Sequence, residues 1–433
     1  MARRLVPLIG LLYFVNYLDR SNIAFAKLTM SEELGLNATE YGVAAGVFFV
    51  GYLLFQVPSN LALHRFGARR WLSLTLLVWG LLAAGTAFVP DAPTLYGLRF
   101  VLGLAEAGLF PGVIVYLAQW FPAAERARVF SLFVIAIPIS AVVGSPTSTA
   151  LMQYGDGLLG LDGWRLMFLV EGLPAVLLAF VTWSYLTDRP SEAHWLSPAE
   201  RNWLVATLER EAAEAAGKFN WSLRRTLTNP RTLALGFIAF GFLYGLYAIS
   251  FFLPTIVAGF SKMFGTDFSL VETGLIVAVP FLVGTAAMIV WSRHSDRTQE
   301  RVRHVAVPMA LGGVSIPVAL YLHSPFAVMA LVTLTVASIL CTIPVFWAMP
   351  PVFLFGAALA GGIGVINTLG NSSGFLAPYV TGWLSDATGS SRAGLWVVGI
   401  VMVLAAITTV ALGATPRPDT TAPAPEPVRV GDR

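Results

Sequence analysis

The chain has 433 residues, of which 56% are hydrophobic and 12% charged, with a formal net charge of +3. Soluble domains carry about 25% charged residues, and a soluble globule cannot hide this much apolar surface. Composition therefore excludes a string of ordinary soluble domains, a disordered chain and, with Cys341 as the single cysteine, a disulfide scaffold. A nucleic-acid binder with a continuous basic face is excluded as well. What remains is an all-α integral membrane protein with a mean hydropathy of +0.73.

A crossing helix needs about 20 mostly apolar residues. Twelve such runs fall at 5–27, 41–63, 71–89, 94–118, 128–152, 165–187, 231–256, 272–292, 304–323, 325–349, 353–382 and 393–413. They are continuous rather than short and alternating, which excludes a β-barrel. The opening Met-Ala-Arg-Arg and its apolar run imitate a signal peptide. Asn16, Asp19 and Arg20 interrupt that run, however, and every later segment is membrane-embedded too.

The order gives four parts: a six-helix bundle over 1–187, a polar linker over 188–230, a second bundle over 231–413 and a tail over 414–433. Of the Lys and Arg residues, 21 fall on the side of the N-terminus and four (Lys27, Arg165, Lys262, Arg392) on the other, with Arg20 and Arg99 inside spans. The positive-inside rule then puts both termini in the cytoplasm, in the inner membrane of a cell. In the linker, Ser197, Pro198 and Glu200 spell the start of a capped helix that Gly217 can end, lying solvated on the inner membrane surface. The Pro- and Thr-rich tail reads as disordered.

The second connection of each half carries a basic turn. It runs Leu63-His64-Arg65-Phe66-Gly67-Ala68-Arg69-Arg70 in the first half and Ser292-Arg293-His294-Ser295-Asp296-Arg297 in the second. The shared position points to a duplicated, pseudo-symmetric bundle, an architecture of secondary transporters. A plain attraction of Arg to any cytoplasmic loop is the alternative.

Ionisable groups at mid-membrane are expensive and mark function. Span one holds Asp19 and Arg20 in the segment Asn16-Tyr17-Leu18-Asp19-Arg20-Ser21-Asn22, and span four holds Arg99 and Glu106 on one helix face. The four charges cancel. A carboxylate entering such a site would stand uncompensated in a low-dielectric cavity unless one acid took up a proton, at a cost of several kcal/mol. Substrate and proton then favour each other, which predicts proton–anion symport. A structural ion-pair set joining spans one and four is the alternative reading. The second half offers neutral groups instead: Asn367, Thr368, Asn371, Ser372 and Ser373 in span eleven and Trp347 in span ten, suited to the uncharged end of a substrate or to helix packing. Asp386 and Glu272 sit near span ends and read as solvated.

At these residues the chain resembles the major facilitator superfamily and, within it, the anion:cation symporter family. The similarity rests on Tyr17-Leu18-Asp19-Arg20-Ser21-Asn22-Ile23-Ala24, on Gly97-Leu98-Arg99 through Glu106, Phe110 and Pro111, and on Trp120-Phe121-Pro122 with Glu125-Arg126-Ala127. Phe346-Trp347 and Gly364-Val365-Ile366-Asn367 through Gly374 carry it in the second half. The resemblance implies two six-helix bundles around a central cavity and alternating access. It implies that Arg20 binds a substrate carboxylate beside Tyr17 and Tyr52, that Asp19 and Glu106 exchange protons, and that Arg99 tunes them. Trp347 and Asn367, with Asn371 near them, would meet substrate from the other bundle, and Gln56 would line the wall. Arg65, Arg69, Asp296 and Arg297 would form the gating loops, although His64 stands where the family usually has an acid. Apolar Ile137, Pro344 and Phe346 stand where sugar-acid carriers tend to be polar, so the chain looks closer to carriers of tartrate or hydroxyphenylacetate. The expected partners are a small organic anion, protons and the lipid bilayer, for a protein working as a monomer.

Three other readings compete. A proton-coupled exporter would share the fold. A transport-like sensor would signal through the linker, which has no docking motif. An enzyme would need a nucleophile, metal or cofactor site, and the five histidines (His64, His194, His294, His304, His323) are scattered without ligand spacing. No metal or cofactor is expected.

Overall fold

The computed structural model describes residues 1–122, 125–126, 129, 135–216, 228–354, 357–390 and 392–414. The expected start of span five, the stop at Gly217 and nearly all of the tail lie outside the described residues. The helices of the first half are α1 (Ala2–Glu33), α2 (Ala38–Phe66), α3 (Ala68–Gly85), α4 (Ala92–Glu106), α5 (Leu109–Trp120), α6 (Ala136–Tyr154) and α7 (Gly163–Tyr185). The linker forms α8 (Pro198–Ala216). The second half has α9 (Pro230–Ala258), α10 (Leu270–Thr298), α11 (Val302–Ala319), α12 (Pro325–Trp347), α13 (Ala357–Thr388) and α14 (Arg392–Gly413).

With α4 and α5 taken as one broken crossing, each half supplies six crossings. Nine crossings among the described residues are long and apolar enough to traverse a bilayer on those grounds alone. The less apolar ones are α1, α6 and α13, which carry the Asn16–Asn22 segment, a run of Ser and Thr, and Asn367 to Ser373. These same helices border the opposite half: α1 packs on α9, α6 on α10, and α13 on α2. Their polarity belongs to a protein interface rather than to lipid.

The duplication is visible in the contacts. Packing of α3 on α7 is matched by α11 on α14, α2 on α4 by α10 on α12, and α1 on α6 by α9 on α13. Helices α2 and α10 are both 29 residues long, and each opens with a capping box, Asn37 with Glu40 and Ser269 with Glu272. Those boxes satisfy backbone amides that a helix start would otherwise leave bare. Asp386 does the same from outside: it accepts from the Ala38 amide at 3.2 Å and from the Thr39 amide at 2.7 Å, across the seam between halves.

That seam is tight at the end remote from the termini. A Cβ on Gly42 would meet the Pro378 carbonyl at 2.4 Å, one on Gly382 the Ala38 carbonyl at 2.1 Å, and one on Gly274 the Ser145 carbonyl at 2.6 Å. Tyr41 donates to the Phe251 carbonyl at 3.1 Å from the same end. Toward the termini Gly364 of α13 has open space around it, and Leu54, Val57 and Leu61 of α2 are exposed. The halves are thus closed at one end and splayed at the other.

The linker enters against the first half. Trp195 stacks on Trp120 with ring centroids 5.4 Å apart, under the Arg4 guanidinium. The Ser197 hydroxyl and amide bond Glu200 and hold its carboxyl below the ordinary glutamate range. Arg126 pairs with Glu211 at 3.0 Å.

Candidate substrate cavity and buried charge network

Between the halves, on the closed side of mid-membrane, lies a cavity lined by Tyr17, Arg20, Ser21, Ser140, Tyr247 and Ser250 among apolar side chains such as Phe49 and Phe281. Arg20 is the charged group on its wall, and α1 positions it. Positions 16 and 20 are one turn apart, so Asn16 and Arg20 project together toward α4. Both reach one oxygen of Glu106: Asn16 Nδ2 donates to Oε2 at 2.7 Å and Arg20 Nε at 2.8 Å. Glu106 is fully buried, and its other oxygen, Oε1, accepts no hydrogen bond from the described residues. It closes the last turn of α4. The helix is interrupted at Ala107 and Gly108 before α5 begins, and Gly108 leaves room there for Ser59, whose hydroxyl a Cβ would meet at 1.9 Å.

The Arg20 guanidinium is ringed by aromatic faces, 4.8 Å from Tyr52, 5.1 Å from Phe48 and 5.5 Å from Tyr17. Such faces attract a cation and hold it without competing for its N–H groups. Arg99 also lies over Phe48, at 5.0 Å, and its Nε donates to the Ala44 carbonyl at 3.4 Å. One phenyl ring is therefore in contact with both guanidinium groups.

The structure divides the quartet anticipated from the sequence. Arg20 and Glu106 form a direct pair at the cavity. Asp19, rotated about 100° from Arg20 around the helix, points into the first half instead. There it accepts from Trp79 Nε1 at 2.8 Å and from Asn22 Nδ2 at 3.1 Å. Arg99 is outside the cavity lining. The four charges are close, but among the described residues Arg20 alone brings a guanidinium to the cavity.

From the second half, Tyr247 donates to Asn371 Oδ1 at 3.1 Å, and Asn371 Nδ2 donates to Asn367 Oδ1 at 3.0 Å. Asn371, Asn367, Trp347, Gln56 and Tyr52 are absent from the lining of this cavity. Trp347, Asn367 and Gln56 lie toward the splayed end, half-buried, with Trp347 edge-on to Phe346. In the loop regions, Asp188 accepts from the Arg69 amide at 2.7 Å, and Asp296 pairs with Arg301 at 2.7 Å. Arg65 lies over its neighbour Phe66.

Three residues escaped the sequence reading. Trp79 looked like one more apolar residue of span three, and Tyr247 like one more aromatic of span seven. Glu171, a lone acid between Val170 and Gly172, is buried on α7 and bonded to Ser148. It carried the same signal as Glu106, charge inside an apolar run, and could have been found by it.

The Major Facilitator Superfamily model matches residues 9–378. A "Putative tartrate transporter" of Agrobacterium vitis is 48% identical over 412 residues, covering 95% of this chain and 93% of that protein. A "Quinolone resistance transporter" of Acinetobacter baumannii is 36% identical, covering 94% and 92%. The inward-open xylose transporter XylE from E. coli aligns with a TM-score of 0.74 at 15% identity, over 97% of this chain and 98% of that one. That likeness extends to the fold. The helix order, the paired contacts and these matches make the chain a member of the major facilitator superfamily, a multi-pass membrane transporter rather than an enzyme.

Proposed function

We propose that the chain takes up a small organic anion together with protons across the inner membrane, by alternating access, as a monomer with both termini in the cytoplasm. The observation that carries this reading is Arg20. It lines the cavity, yet its Nε is held at 2.8 Å by Glu106. A substrate carboxylate and the Glu106 carboxylate therefore compete for one guanidinium. Protonating Glu106 weakens its hold on Arg20, frees that cation for the substrate and removes one negative charge from a site that water reaches poorly. Anion and proton then bind cooperatively, as linkage demands.

In this scheme Asp19 and Glu106 carry protons, Arg99 tunes them by its charge, and Tyr17 and Tyr52 steady Arg20. Tyr247 with Asn371 and Asn367 gives the opposite wall its polar groups, while Gln56 and Trp347 line the path toward the splayed end. Arg65, Arg69, Asp296 and Arg297 belong to loops that meet when that end closes. The relative at 48% identity supports tartrate or a similar hydroxy acid, and the apolar Ile137 on the cavity wall fits a small or aromatic carboxylate better than a sugar acid. The 36%-identical relative named for quinolone resistance favours a second reading, export.

Purified protein in liposomes tests both. An inward proton gradient should drive accumulation of at least one of tartrate, malate, hydroxyphenylacetate, benzoate and galactonate, with alkalinisation outside. Glu106→Gln and Asp19→Asn should abolish accumulation. If both variants still concentrate the anion, the proton assignment is wrong; if only an outward-directed flux responds to the gradient, export is the function.

A further inference from the structure

Glu171 is, with Asp19 and Glu106, one of three carboxyls buried in the first half among the described residues, 3% exposed on α7. Ser148 on α6 donates to its Oε1 at 2.6 Å, and its Oε2 is buried with no hydrogen-bond partner among the described residues. Asn22 on α1, which donates to Asp19, also comes within reach of Glu171, and Asp19 is the charged neighbour whose field is felt there. From α3, the remaining helix packed on this stretch, Ala84 meets Gly172 and Trp79 is committed to Asp19. Of the two guanidinium groups, Arg20 is held by Glu106, and Arg99, which donates to the Ala44 carbonyl, has its field on Asp19 rather than on Glu171.

An ionised Glu171 would thus face one hydroxyl, an amide shared with Asp19, and a second carboxylate. Removing an ion from water without a counterion costs several kcal/mol. A carboxyl in such a site avoids that cost by keeping its proton. We propose that Glu171 is a third proton-binding site of the transporter, holding its own proton at neutral pH beside Ser148. Glu171 and Ser148 lie closer to the sealed end than Glu106 does, because they sit nearer the Gly163 and Tyr154 ends of their helices. The three acids then form a ladder from that end to the cavity. The ladder's use in transport rests on the proton-coupled reading above; the proton on Glu171 does not.

Infrared difference spectra of the full chain in lipid, without any substrate, read that proton directly. At neutral pH the wild type should show a protonated-carboxyl C=O stretch that Glu171→Gln deletes and that the surface control Glu40→Gln keeps. Ser148→Ala, which removes the hydroxyl donor, should shift the same band, so the test survives if Glu171→Gln does not insert. Spectra indifferent to both variants overturn the proposal. Its failure is separable from that of proton coupling, because Asp19→Asn and Glu106→Gln test coupling in the uptake assay whatever the spectra show.

Discussion

Asp386, near the end of α13, accepts the Thr39 hydroxyl at 2.5 Å and the Thr39 amide at 2.7 Å, so one half of the molecule caps the first turn of a helix in the other. A carboxylate at a helix start gains from the bare amides and from the helix dipole. The contact exists only while this end is closed. Asp386→Ala should therefore shift the population toward the state open at this end, by the worth of a charge-assisted bond, about 1.5–3 kcal/mol. Alkylation of a cysteine placed at Ser250, which lines the cavity, reads the shift; unchanged alkylation from that side would remove the latch.

Arg20 pairs through Nε while its ring of aromatic faces restrains the guanidinium plane. Lysine keeps the charge but loses the planar fork. Arg20→Lys should raise the half-saturating anion concentration about 10- to 100-fold, the equivalent of losing a charged hydrogen bond. Uptake titrations measure it, and wild-type affinity in Arg20→Lys would sink the carboxylate assignment.

Helices α2 and α4 interlock through glycine. A Cβ on Gly103 would sit 2.0 Å from the Phe48 carbonyl, and one on Gly51 would sit 2.2 Å from the Phe100 carbonyl. Phe48 is also the ring that both Arg20 and Arg99 lie over. Gly103→Ala should cost about 1–3 kcal/mol of overpacking strain and displace that ring. A lowered thermal midpoint together with weakened anion binding is expected, whereas Gly97→Ala, with open space around it, should change neither.

Tyr247 packs at a 60° tilt against Phe49 of the other half, 4.5 Å between centroids, while its hydroxyl bonds Asn371. Tyr247→Phe keeps the ring contact and strips the bond. Stability should fall by about 0.5–1.5 kcal/mol, and discrimination among anions that differ by one hydroxyl should narrow. A substrate panel run on the variant checks this; identical preferences would place Tyr247 outside recognition.

The spans were legible because bilayer length and apolarity leave few alternatives, and each expected span overlaps a helix, though the ends differ by several residues; α2 covers 38–66 around the expected 41–63, while α11 stops at 319 short of the expected 323. Arg20, Arg99, Asp19 and Glu106 were legible because charge in an apolar run is conspicuous. Which way each one points was not. Asp19 and Arg20 are neighbours in sequence and face different compartments, a matter of 100° of helix rotation that only packing resolves. Trp79 and Tyr247 stayed hidden because their polar atoms are a small part of a large apolar side chain. The seam glycines were hidden for a similar reason: glycine is common throughout the chain, and only the partner helix reveals which ones it touches.

At the sealed end those glycines press hydrogen-sized surfaces against carbonyl oxygens, main chain on main chain. Few rotamers are frozen when such a joint shuts, and few are released when it parts. Side-chain disorder therefore gives heat little leverage over the joint, and the balance between its two positions should drift only slightly with growth temperature.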